Sequence, residues 1–176
     1  MRYSDIPKLT NCGDYAIDAG IENLVEHINE WEEELGLQLC PDFQRGHVWN
    51  EHQQIAYIEY LIRGGESGRD VYFNHPGWMS NFNGEFVCVD GLQRITAIKR
   101  FIGCEIPAFG AYYDQYEDKR AMRRNITIRI HVNDLKTRAE VLRWYVEMNE
   151  GGTPHTEKEL DRVRRMAAEA EKEDSK

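Results

Sequence analysis

The sequence predicts an α+β domain, in which short strands alternate with amphipathic helices. Residues 126–132 place Ile126, Ile128, Ile130 and Val132 alternately with Thr127, Arg129 and His131, the two-residue period of a strand with one buried face. Residues 86–89 (Phe-Val-Cys-Val) are a short apolar run of strand type. Around these runs, several longer segments repeat apolar residues at the spacing of one helical face.

The elements follow in chain order. Residues 1–11 show no clear period. From Ile21 a helix is expected, with Leu24, Val25, Ile28, Trp31 and Leu35 on its apolar stripe and Gly36 as its stop. Residues 37–40 form a strand candidate ended by Pro41. Asn50 caps a helix through Arg63 in a capping box with Gln53, with Ile55, Ile58, Leu61 and Ile62 inward and Gly64-Gly65 at its end. Residues 71–73 are a strand candidate stopped near Pro76, and 81–84 a turn feeding the strand at 86–89. A helix follows, with Leu92, Ile95, Ile98 and Ile102 inward, Asp90 as its cap and Gln93 completing a capping box. A helix is expected over 116–124. Thr137 and Glu140 open another that reaches Asn149, with Val141, Leu142, Tyr145 and Met148 inward. Gly151-Gly152 breaks it. Thr156 and Glu159 open the last helix, which carries Leu160, Val163, Met166 and Ala170 and frays from Glu171. The chain divides into an N-terminal segment with an outer helix (1–36), an α+β core (37–132) and C-terminal helices of the same domain (133–176).

Composition bounds the function. At 176 residues, 41% of them hydrophobic and 30% charged, the chain suits one globular domain with a real core. No apolar run approaches the ~20 residues that span a bilayer, and residues 1–13 lack signal-peptide character. Cys12, Cys40, Cys88 and Cys104 show no paired spacing. Cys40 and Cys88 are read as small core residues, and free thiols without an export signal predict a cytoplasmic setting. The six histidines are scattered, without zinc spacing. A net charge of −9 argues against broad charge-driven binding to duplex DNA. Lys119, Arg120, Arg123 and Arg124, with Arg129 nearby, form the one basic cluster. It is either a solvated face or the candidate DNA and phosphate contact.

Three segments carry chemistry-bearing residues. Asp90-Gly91-Leu92-Gln93-Arg94 lies between strand and helix. On the bland reading Asp90 caps the helix and pairs with Arg94. On the functional one the helix start and Arg94 hold an anion, and Asp90 must then bind a metal, a ribose hydroxyl or an arginine. Pro41-Asp42-Phe43-Gln44-Arg45 sets Arg45 among apolar residues, where it needs a carboxylate partner or grips phosphate. Trp49 or His47 could stack on a base, although such rings are more often core. The third, from Asn149 to Thr156, joins two helices as an ordinary cap or as a loop closing over a pocket.

In this order the segments resemble the N-terminal domain family of GmrSD-type restriction enzymes. Residues 41–45 with Trp49 resemble its P-x-(Y/F)-Q-R-x-x-x-W opening, and residues 89–96 its DGQQR signature. Asn149 with Gly152, Thr153, Pro154, Thr156, Glu159 and Leu160 resembles its closing stretch. The resemblance runs from about 37 to 160. It implies a ParB/sulfiredoxin-like fold: a small mixed sheet flanked by helices, with a helical C-terminal part. It also implies nucleotide binding and hydrolysis linked to DNA restriction and phage defence. Carried over by position, Gln44 and Arg45 line the pocket and Asn149 closes it. Gly91, Gln93, Arg94, Thr96, Arg45, Trp49 and Asn149 bind the nucleoside triphosphate, Asp90 holds Mg2+ or orients an arginine, and Asp90, Arg94, Arg45 and Gln44 are the expected catalytic residues. Leu92 replaces a glutamine of the signature, removing one polar contact. No HNH-like cluster follows, so DNA cutting would need a separate HNH-type nuclease subunit or this turn itself as a metal-dependent nickase. A phage-encoded binding protein or inhibitor that kept the fold without the chemistry is the third expectation. Arg120, Arg123 and Arg124 remain the candidate DNA contacts, and no membrane association is expected.

Overall fold

The computed structural model describes residues 6, 9–11, 13, 15–44, 46, 48–150 and 157–174, with the backbone alone for residues 150, 157, 158 and 174. The elements are β1 (Tyr15–Gly20), α1 (Ile21–Glu34), α2 (Glu51–Ile62), β2 (Asp70–Asn74), β3 (Val87–Asp90), α3 (Leu92–Ile102), α4 (Lys119–Asn125), β4 (Thr127–Asn133), α5 (Arg138–Glu150) and α6 (Glu157–Asp174). The sheet is small and mixed, in the order β1-β4-β2-β3. β4 pairs antiparallel with β1 and parallel with β2, and β2 pairs antiparallel with β3 across an irregularity after Tyr72. This is the α+β architecture that the sequence predicts, and it is consistent with a ParB-like domain.

Strand alternation divides the core in two. Ile128, Ile130 and Val132 of β4 join Val71, Phe73 and Cys88 under α1, α2 and α3, against Leu24, Ile28, Leu61, Ile95, Ile98 and Phe101. Val87, Val89 and Tyr72 face the other way, onto Leu142, Trp144 and Tyr145 of α5 and Val163 and Ala167 of α6. Each such side chain taken from water contributes about 1.5–3 kcal/mol, which is why the helices lie where the apolar strand faces are. At one end, the loop after β2 folds Trp78 onto Trp31 and Phe86, with ring centroids 5.3–5.5 Å apart.

Several local readings hold. Asn50 and Gln53 form their capping box, with bonds of 2.9 and 3.0 Å. Gly36 turns at φ +67, and Leu37 N–H reaches back to Trp31 O, ending α1. Thr137 and Glu140 cap α5 as expected. No helix among the described residues is long and apolar enough to cross a membrane.

Other readings are corrected. The segment at 37–40 makes one bridge, Gln38 to Val87, rather than a strand. β1 is a strand inside the stretch assigned to an outer segment, so residues 15–36 belong to the sheet and its first helix. Cys40 is exposed while Cys88 is buried, because only Cys88 lies on an inward strand position. The helix over 116–124 is shorter, 119–125. α6 continues to Asp174, with Arg143 of α5 paired to Glu171 at 2.5 Å. Asp90 does not cap α3. Gly91 is the N-cap residue, with no side-chain cap, and Asp90 is the last residue of β3.

Gly91 has φ +126, and a Cβ there would lie 2.7 Å from Val71 Cγ1. Gly91→Ala is therefore expected to destabilise the fold by about 2 kcal/mol, read from urea denaturation. His75 is buried, and its Nδ1 accepts Gly77 N–H at 3.1 Å. Burial holds its imidazole below the ordinary histidine value of 6.5. The unfolded chain then takes up this proton more readily than the native one, so the stabilisation is complete above pH 6.5 and lost as pH falls through the native pKa. Denaturation of wild type and His75→Gln from pH 7.5 to 5 (values of about half a unit apart) should show the gap between them narrowing toward acid.

Candidate functional site

The site grows from the bend between β3 and α3. Asp90 ends the strand, Gly91 makes the turn and Arg94 comes one helical turn on. Arg94 Nη2 donates to Asp90 Oδ2 at 2.6 Å. The Asp90 side chain is 40% exposed and that of Arg94 21%. Burial works against the charge on Arg94, but the Asp90 carboxylate overcomes this and holds the guanidinium above the ordinary arginine range. Arg94 Nε is buried and has no hydrogen-bond partner among the described residues. The first turn of α3 has no side-chain cap either. The turn thus gathers a charged arginine with an unspent donor and a helix start, both suited to an anion.

Tyr57 of α2 and Gly68 wall this place. Tyr57 O–H donates to Gly68 O at 2.8 Å, and its burial pushes the phenol pKa upward. A Cβ on Gly68 would lie 3.8 Å from Arg94 Cδ and from Tyr57 Cε2. Neither residue was legible as a site member: Tyr57 stands among the apolar residues of α2, and Gly68 lies in a loop that reads only as polar.

The described residues of the 41–50 segment lie along the bend, tied by two glutamines. Gln44 Nε2 donates to Cys88 O at 2.6 Å and Val89 O at 2.9 Å. Gln93 Oε1 accepts from Val48 N and Trp49 N, both at 3.0 Å, and its Nε2 donates to Gly46 O at 3.3 Å. Gln93 uses both its amide atoms, and Gln44 its Nε2, to join this segment to the turn and to β3. Arg45, His47 and residues 151–156, including Gly152, Thr153, Pro154 and Thr156, lie outside the described residues.

Of the remaining predicted residues, Trp49 is half-buried against Tyr57, with ring centroids 5.4 Å apart. Thr96 Oγ1 donates to Leu92 O at 2.8 Å, within its own helix. Asn149 Nδ2 likewise donates to Tyr145 O at 2.6 Å. Arg120, Arg123 and Arg124 are exposed on α4, which packs beside β1, the sheet edge opposite β3. Three strand spacings, about 14 Å, separate those edges. Arg123 is paired with Glu22. The basic cluster and the Asp90–Arg94 turn are therefore separate features. No group of three or more His, Cys, Asp or Glu side chains able to hold a metal occurs among the described residues.

A second polar cluster was not anticipated. On the sheet face opposite α1–α3, His131 Nε2 lies 2.8 Å from Asp70 Oδ1, and its ring stacks on Tyr72 at 4.6 Å. Arg129 forks onto Asp18 at 2.8 and 2.9 Å. The polar face of the alternating β4 strand was its only signal.

Comparison with curated proteins finds no match, and neither does comparison with solved structures. The family model of the GmrSD restriction endonuclease N-terminal domain matches residues 21–126, from α1 to the residue before β4. That span contains the loop at 41–50, the Asp90–Arg94 turn and their two glutamine links, while the Asn149 segment lies beyond it. The match covers more than half of the chain, and the chain belongs to the family of GmrSD restriction endonuclease N-terminal domains.

Proposed function

We propose that the Asp90–Arg94 turn binds the phosphates of a nucleoside triphosphate, and that the domain is a nucleotide-binding, hydrolysing module of DNA restriction and phage defence. The observation that carries this reading is the buried Nε of Arg94, a donor without a partner among the described residues, beside an uncapped helix start. Nε is closed to solvent, so a phosphate oxygen would satisfy it once the partly exposed guanidinium turns outward, and the helix N-terminus would add its partial positive charge. Asp90 keeps Arg94 charged and aimed. Gln44 and Gln93 act by joining the described residues of the loop to β3 and the turn, and Gly91 makes the turn that starts α3 beside Arg94. Thr96 and Asn149, bonded within their helices, shape the surroundings.

Magnesium fits this donor set in a limited way. Asp90 offers one carboxylate, so an ion would take its other ligands from phosphate and water, as Mg2+ commonly does. When bound it would supply charge neutralisation at the phosphates. The chain's own share is Arg94 and, in this reading, Arg45, which stabilise charge on the transferring group. The α4 arginines would contact DNA, and a separate HNH-type nuclease would complete the restriction function.

Titration calorimetry with a panel of triphosphates and magnesium is expected to show binding to wild type and a loss of at least tenfold for Arg94→Ala, about 1.4 kcal/mol or more. Equal behaviour of the two proteins removes the reading. A parallel plasmid-nicking assay separates the nuclease alternative: magnesium-dependent nicking lost in Asp90→Ala would favour it. Retained partner binding by Arg94→Ala without nucleotide binding would favour the inhibitor. For the basic cluster, the double variant Arg120→Glu/Arg124→Glu should weaken duplex binding at low salt and flatten its salt dependence, read by fluorescence anisotropy.

A further inference from the structure

The loop beside the turn is also held from its far side. Asp42 receives Arg138 Nη2 of α5 on both carboxylate oxygens, at 2.6 and 2.7 Å. Arg162 Nη2 of α6 donates to the backbone oxygens of Asp42 at 2.8 Å and Phe43 at 3.3 Å. Between these bonds Phe43 is 3% exposed and sits edge-on to Tyr145 of α5, with centroids 5.3 Å apart. One residue later, Gln44 is bonded to the two carbonyls that precede Asp90. A continuous path of named bonds thus runs from α6 through Asp42 and Gln44 to the turn. Both arginines lie beyond the family-matched span of 21–126.

Two features separate this path from ordinary packing. Asp42 and Arg138 are 66% and 37% exposed, and ion pairs at that exposure add little to global stability. Arg162 is spent on backbone carbonyls, which orders a loop rather than neutralising a charge. Such contacts set local geometry, and small displacements at an anion site are costly.

We propose that Arg138 and Arg162 are positioning residues, which couple the C-terminal helices to the phosphate site by fixing the loop at 41–44. The inference rests on the reading of the turn as that site, and it makes docking of α6 the means by which the site's affinity is set.

The test uses the full chain with Arg138→Ala, Arg162→Ala and Arg162→Lys, and magnesium with the triphosphate that binds wild type best. Both alanine variants should lose about fivefold or more in affinity. Their melting midpoints should stay close to wild type, and exchange of the Gln44 amide, bonded to Pro41 O, should speed up. Arg162→Lys, which keeps a charged donor, should recover part of the affinity. Unchanged affinity in both alanine variants while Arg94→Ala loses binding overturns the coupling and leaves the phosphate site standing. Affinity lost only in step with the melting midpoint, without recovery by lysine, overturns it too. If no triphosphate binds wild type, the phosphate reading fails, and unchanged Gln44 exchange in Arg162→Ala then overturns the ordering role independently.

Discussion

The close approach of Gly91 to Val71 governs much of this molecule. A chain leaving β3 must turn at once to lay α3 over the same sheet. It does so through a residue with φ +126 whose missing side chain leaves room for β2. From that geometry the rest of the site follows. Asp90 is kept in the strand, Arg94 returns one turn later within 2.6 Å of it, and α3 begins without a side-chain cap. Had Asp90 served as the cap, its carboxylate would have covered the helix start.

The two glutamines change what their motifs mean. Side-chain amides offer both donors and acceptors, so they can bind ligands or join backbone segments. Here Gln44 closes on carbonyls of the edge strand β3, and Gln93 takes two N–H groups of the loop before α2. An edge strand exposes unpaired backbone groups, and covering part of that edge with an amide is a way of satisfying them. Residues that look like ligand contacts in a motif are thus also what holds the motif's halves together. Substituting either one removes a tie between this segment and the strand–helix bend, whether or not a ligand touches the glutamine.

Much of the fold was legible because its determinants are local. The alternation of β4, the Asn50 capping box and the helical stripe from Ile21 are decided within a few residues. β1 was not, since Tyr-Ala-Ile-Asp-Ala-Gly has weak alternation and is made a strand by pairing with β4 more than 100 residues away. Cys40 misled for a related reason: an apolar neighbourhood in sequence does not say which side of a single bridge faces out. In the site, the Asp90–Arg94 pair was readable from its four-residue spacing. Tyr57, Gly68, Arg138 and Arg162 were not, because tertiary packing alone brings them to the loop and turn.

The distribution of charge gives the domain a direction. The chain carries −9 overall, yet Arg94 sits beside the β3 edge and the α4 arginines beside the β1 edge. These two basic features lie on opposite sides of a four-stranded sheet, so one small anion does not bridge them. An extended polyanion could meet α4 while a compact one occupied the turn. Between the edges, Asp18 is paired with Arg129 and Asp70 is hydrogen-bonded to His131, so these polar groups are engaged with one another. Because the chain is acidic overall, any anion that it binds has to be held locally, by guanidinium groups such as those of the turn and of α4, rather than by the general field of the domain.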